Sequence, residues 1–176
     1  MTPASRAYAD DIACFLNEPQ ELRHLLTLLS QYSGASNALV NYHKTVALSL
    51  SGSRRSFTTH WVTSLTACHI TQWHDSSSVG PVVYLGYPLY TTPIQRDFFL
   101  SSLLEKIKKA CDIHRSRQFS VRGRATIVNS LILSKLWHIL RVVSVPLSFF
   151  GDLRTIISSF VSFRIFPRLS YSTIQA

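Results

Sequence analysis

Ala7-Tyr8-Ala9-Asp10-Asp11-Ile12 sets two adjacent aspartates directly before a short apolar run, Ile12-Ala13-Cys14-Phe15-Leu16. The run has the length of a buried strand, and Asn17-Glu18-Pro19 ends it. Two carboxylates at the mouth of a strand are unfavourable unless something positive satisfies them. Hard divalent cations such as Mg²⁺ prefer carboxylate oxygens, so a rigid Asp-Asp turn is a candidate metal seat. The same residues also suit a solvated hairpin turn, because Asp favours turns. The rest of the chain bears on which reading applies.

The chain has 176 residues, 46% of them hydrophobic and 15% charged. That balance supports a packed core and excludes a disordered tail. Lys and Arg number 18 against 9 acids, a formal net charge of +9. The charge is unevenly spread. Asp10, Asp11, Glu18 and Glu21 lie near the start, whereas Lys106, Lys108, Lys109, Arg115, Arg117, Arg122, Arg124, Lys135 and Arg141 face only Glu105 and Asp112 in their stretch. An acidic site followed by a basic helical region suggests a metal site beside a polyanion track. A basic surface that merely keeps the protein soluble is the plainer alternative. Cys14, Cys68 and Cys111 are widely spaced, which argues against a zinc site or a disulfide framework and for a reducing compartment. Met1 to Arg6 has no apolar segment of a signal peptide. The most apolar stretch, 125–145, is interrupted by Asn129, Lys135, His138 and Arg141, so a buried amphipathic helix is expected there and no membrane span.

Asn17-Glu18-Pro19-Gln20 reads as a helix start with Asn17 as N-cap. Leu22, Leu25, Leu26, Leu29 and Tyr32 follow at helical spacing, and Gly34 supplies a stop. Val46, Leu48 and Leu50 alternate with small residues, as in a half-buried strand. The stretch from Phe57 to Trp73 is ambiguous between helix and strand, and 75–81 is a Ser/Gly/Pro loop. Val82 to Leu89 suits a strand pair with Gly86 at a turn and Pro88 at an edge. Thr92-Pro93-Ile94-Gln95 repeats the capping pattern before a helix to about Arg117. Ser120 opens another, with Ile127, Val128, Leu131, Ile132, Leu136, Ile139, Leu140 and Val143 inward, and Pro146 ends it. A third helix is expected over Phe149 to Phe163, with Phe149, Leu153, Ile156, Ile157 and Phe160 inward.

Four signatures therefore stand in one order: Tyr8-Ala9-Asp10-Asp11; Asn41-x-x-Lys44 before a strand; Tyr84-Leu85-Gly86-Tyr87-Pro88-Leu89 before the helices; and Gly123-Arg124-Ala125 followed by Asn129, Ser134-Lys135-Leu136-Trp137 and Pro146. This series resembles the reverse transcriptases of non-LTR (LINE-type) retrotransposons over nearly the whole chain, from about Arg6 to Phe163. The resemblance implies an α+β fold: a partial polymerase palm of antiparallel strands plus a helix over 1–91, then an all-helical thumb over 92–176. It implies RNA-directed DNA polymerization, a Mg²⁺-dependent nucleotidyl transfer on an RNA or DNA template–primer. Two metals commonly hold the attacking and leaving oxygens in such a reaction, while the protein positions charge. By the same resemblance Asp10 matches the metal-holding aspartate and Asp11 its neighbour, which shapes the site. Lys44 matches the palm lysine that gives a proton to departing pyrophosphate. Tyr84, Leu85, Gly86 and Tyr87 match the primer grip. Lys106, Lys108, Lys109, Arg115, Arg117, Arg122 and Arg124 match the thumb surface that touches nucleic-acid backbone.

The chain also departs from that pattern. The family carries fingers, nucleotide-binding segments and another palm strand with a metal-binding Asp before the YADD motif. Thr2-Pro3-Ala4-Ser5 is expected to be a poor partner strand, and Asp75, Asp97, Asp112 and Asp152 fall in loops or helices. The expectation is a C-terminal polymerase piece without activity alone, whose partners are template–primer and the missing N-terminal half. A non-catalytic nucleic-acid-binding remnant and a basic structural domain are the alternatives. The helical half is expected to be the more stable one, with Tyr8 to Leu16 an exposed hairpin arm.

Overall fold

The computed structural model describes residues 4–8 and 10–163. The fold is mixed α and β, built of helices and short two-stranded pairings. The chain divides into two compact units, one up to Ser78 and one from Val79.

In the first unit, β1 (Ala4–Tyr8) and β2 (Asp11–Phe15) form an antiparallel hairpin in which Tyr8 pairs with Asp11 and Ala4 with Phe15. The expectation that the segment before Arg6 is a poor strand fails for Ala4 and Ser5. Hairpin pairing is local, so the tight turn brings this segment alongside β2 whatever its propensity. Thr2 and Pro3 lie outside the described residues. Helix α1 (Pro19–Ser36) follows, with Glu18 rather than Asn17 at the cap position. Asn17 contributes through its backbone, donating its N–H to the Glu21 carboxylate at 2.7 Å. The helix runs through Gly34 and stops where Asn37 turns left-handed at φ 57°. Asn tolerates that conformation, and Gly34 inside the helix leaves only open space around its Cα.

Strand β3 (Val46–Leu48) pairs in parallel with β4 (Gln72–His74), a difference from the all-antiparallel expectation. Parallel strands need a crossover. Here it is helical: α2 (Arg54–Ser56), a π turn over Phe57–Trp61, and α3 (Val62–Ala67). Ser53 caps this run. Leu50, expected inward, is 70% exposed because β3 ends two residues before it. The core of this unit rests on Leu22, Leu65 and Ile70, with Leu25, Leu26, Phe57, Trp61 and Trp73 half-buried around them.

The second unit opens with β5 (Val82–Tyr84) and β6 (Tyr87–Leu89), an antiparallel hairpin. The expected division at 91/92 thus runs inside this compact unit. Thr92 then caps α4 (Pro93–Arg115) as the sequence foretells. Its hydroxyl accepts the Gln95 backbone N–H at 3.3 Å, while the Gln95 side-chain oxygen Oε1 accepts the Thr91 N–H at 2.9 Å. Ser120 caps α5 (Val121–Ile127) by accepting the Gly123 N–H at 3.2 Å. The chain then widens into a π turn over Val128–Ile132 before α6 (Ser134–Leu140), and α7 (Leu147–Val161) closes the unit. The π turn inserts one residue into the helical register. Leu131, expected inward, is consequently 52% exposed while Ile132 is buried. Leu100, Leu103, Ile107, Ile132, Leu136, Phe149, Leu153 and Phe160 lead a single continuous core. Among the described residues no helix is long and apolar enough to cross a membrane.

Candidate functional site

The aspartates of the opening motif stand at a hairpin tip. Asp10 lies in the turn between β1 and β2, Asp11 begins β2 opposite Tyr8, and all three are exposed. Ala9 lies outside the described residues. Tyr8 is 67% exposed, and Ile12 and Phe15 are about half exposed, so the hairpin presents apolar side chains on both sides of the carboxylates. Among the described residues neither carboxylate makes an ion pair, and an exposed carboxylate pair suits a hard cation in charge and in donor chemistry. Completeness is another matter. Among the described residues no group of three or more His, Cys, Asp or Glu side chains comes together. Two neighbouring carboxylates supply only part of a Mg²⁺ donor set, and no step through the metal is derived from them.

The Asn41–Lys44 spacing belongs to a turn. The Asn41 carboxamide oxygen accepts the Lys44 backbone N–H at 3.2 Å and caps the 3₁₀ turn Tyr42–Lys44, leaving the Lys44 side chain exposed. Near it, Leu39 to His43 and His69 line an open depression of about 430 Å³, which among the described residues holds two imidazoles and no carboxylate. Asp75, in the loop after β4, is buried and accepts hydrogen bonds from the Ser77 hydroxyl (2.6 Å), the Ser77 N–H (2.8 Å) and the Trp73 indole N–H (3.1 Å). The Ser77 hydroxyl bond above all holds its carboxyl below the usual range, with burial opposing. It organises a loop.

In the second unit the turn between β5 and β6 is Leu85-Gly86, both at positive φ (52° and 85°). Two left-handed residues match the twist of a tight hairpin, and Gly86 adopts that state freely. Leu85 does not: a left-handed non-glycine residue carries about 1–2 kcal/mol of strain. Tyr84 and Tyr87 flank the turn as a register pair, and the Tyr87 ring meets His138 edge-on at 5.5 Å between centroids. The four residues expected as a primer grip are thus gathered on one strained hairpin.

Lys106, Lys108 and Lys109 are exposed on α4, away from Leu103, Ile107 and Cys111, which face inward. Arg117 and Arg122 are exposed beyond it. Arg115 is half-buried and ties to Asp112 at 3.5 Å and to the Ser159 hydroxyl at 3.4 Å. Arg124 departs from the expected surface position, at 9% exposure. Its Nη1 donates to the carbonyls of Val161 at 3.2 Å and Phe163 at 2.5 Å. A guanidinium there donates to carbonyls at and just beyond the end of α7 and complements that helix's negative pole. Its sequence signature, Gly123-Arg124-Ala125, gives no hint of that partner 37 residues away. The thiol of Cys111, buried in the core, is pushed up to about 11 by burial, which leaves it chemically inert at neutral pH.

No protein-family model and no curated protein matches this chain.

Proposed function

We propose that the chain is the C-terminal palm and thumb portion of a LINE-type reverse transcriptase: a nucleic-acid-gripping fragment that does not polymerise alone. The observation that carries this reading is Asp10 and Asp11 at the tip of a β-hairpin, with Tyr8 paired to Asp11. The resemblance requires that arrangement of its YADD motif. Two further features support it. Tyr84, Leu85, Gly86 and Tyr87 share one hairpin, and the exposed cations Lys106, Lys108, Lys109, Arg117 and Arg122 border α4 and α5. Such cations would hold template–primer by phosphate contacts, which position a duplex without reading its sequence. The incomplete carboxylate set is the reason to expect no turnover from this chain alone.

The test is binding and incorporation on one substrate. On poly(rA)–oligo(dT), the chain is expected to bind with a log–log salt slope of roughly −0.9 per phosphate contact on duplex. Incorporation of dNTP with Mg²⁺ or Mn²⁺ should stay at background. Binding that ignores salt would replace this reading with a basic structural domain. Incorporation lost in Asp10→Ala would instead show a complete polymerase site.

A further inference from the structure

The elbow between α4 and α5 forms a depression of about 270 Å³. Among the described residues its walls include Arg115, Arg117 and Arg124 together with Ser116, Ser120 and Phe163, and no carboxylate; Asp112, which pairs with Arg115, is not one of them. This volume lies below the range of pockets that enclose drug-sized ligands, and suits one compact group. Like charges gathered in a concavity repel one another, and a bound anion relieves that repulsion.

The hydrogen bonding points the same way. Arg124 is more than nine-tenths buried, yet both of its hydrogen bonds to described residues leave from Nη1. Arg115 is held through Nη1 by Asp112 and through Nη2 by Ser159, while its Nε is buried and has no partner among the described residues. A buried donor left unpaired is unfavourable, and an anion in the depression would satisfy it. Both guanidiniums also lie over the Phe163 ring, at 5.1 and 5.7 Å from its centre, which fixes them without using their N–H groups.

We propose that this elbow is a seat for a single phosphate group, with Arg115 and Arg117 as its principal ligands and Arg124 as the buried donor at its base. The seat stands on its own geometry and rests on the nucleic-acid reading only for the source of the phosphate. A backbone phosphate of a nucleic acid and a free phosphorylated small molecule share the chemistry.

The test uses the full chain, ¹⁵N-labelled, at low salt, titrated with inorganic phosphate. Saturable shifts are expected at the amides of 115–124 and at the arginine side-chain nitrogens. Arg115→Gln with Arg117→Gln should weaken binding at least tenfold, and Arg23→Gln with Arg55→Gln, at exposed cations of the first unit, should change it less than twofold. Should the double variant unfold, the exposed Arg117→Gln alone should still weaken binding severalfold. Shifts that never saturate, or an unchanged affinity in Arg117→Gln, would overturn the seat. A second arm adds poly(rA)–oligo(dT). Displacement of phosphate by the duplex supports a nucleic-acid source. Saturable phosphate binding that the duplex leaves untouched supports the seat with a small-molecule source, and counts against the nucleic-acid reading. Duplex binding equal in Arg117→Gln and the parent, with no phosphate saturation, overturns the seat and leaves the nucleic-acid reading standing.

Discussion

The two units divide the work of folding and of chemistry unequally. The unit up to Ser78 holds the Asp10–Asp11 tip, and among its described residues Leu22, Leu65 and Ile70 form the buried core. The unit from Val79 holds the basic surface and buries a continuous core from Leu100 to Val161. Each fully buried aliphatic or aromatic side chain is worth about 1.5–3 kcal/mol, so the difference in stability between the units should be large. The candidate chemistry sits on the weaker scaffold. The helical unit buries its apolar surface within itself, whereas the hairpin that carries the two aspartates leaves Tyr8, Ile12 and Phe15 largely exposed.

The largest effect should come from Phe160, which is fully buried in the second unit. Phe160→Ala is expected to destabilise that unit by about 3–5 kcal/mol in urea unfolding followed by helical circular dichroism. A loss below 1 kcal/mol would mean that the core is loose, and the contrast between the units would shrink. A middling effect is expected from Arg124→Met, which keeps the packing but strips the carbonyls of Val161 and Phe163 of their charged donor. About 1.5–3 kcal/mol should be lost. Stability equal to the parent would return Arg124 to the surface set.

The smallest effect belongs to the first unit and depends on pH. The Asp75 carboxyl is held below its usual range by the Ser77 hydroxyl first, with the Ser77 N–H and Trp73 indole helping against burial. A carboxylate with a depressed folded-state value stabilises the fold above its unfolded value, about 3.9. That contribution is lost as the pH falls through the lower folded-state value. Unfolding of a Trp137→Phe background, followed by the tryptophan fluorescence of the first unit, should thus show an acid-side decline below about pH 4 that Asp75→Asn removes. An identical pH profile in the variant would mean that Asp75 adds nothing to this unit.

Local chemistry was legible in the sequence where it acts within a few residues. Thr92 with Gln95, Ser120 with Gly123, and Gly86 at its hairpin turn all lie where side-chain type puts them, whereas the left-handed Leu85 beside it does not. Readings that depend on register or on distant partners were less legible. The π turn over Val128–Ile132 rotates Leu131 outward, and no periodicity in 125–143 announces it. The end of α1 is expected at Gly34, but the helix runs on to Ser36 and stops where Asn37 turns left-handed. The parallel pairing of β3 with β4 required a crossover whose helical character was ambiguous from Phe57 onward. At the candidate site, the hairpin tip of Asp10 and Asp11 was readable from the Asp-Asp turn and the apolar run. The burial of Arg124 was not, because its carbonyl partners belong to the far end of α7.

Hydrogen exchange of the full chain, alone and with poly(rA)–oligo(dT), tests the central claim most directly. Local opening should track the density of buried apolar contacts. In the free chain, slow exchange is expected across 125–143 and fast exchange across 8–16 and 44–50. Adding the duplex should slow exchange in 106–122 and leave 8–16 unchanged. Equal protection of both units in the free chain, or no change in 106–122 with the duplex, would contradict a nucleic-acid-gripping fragment with a self-sufficient helical half.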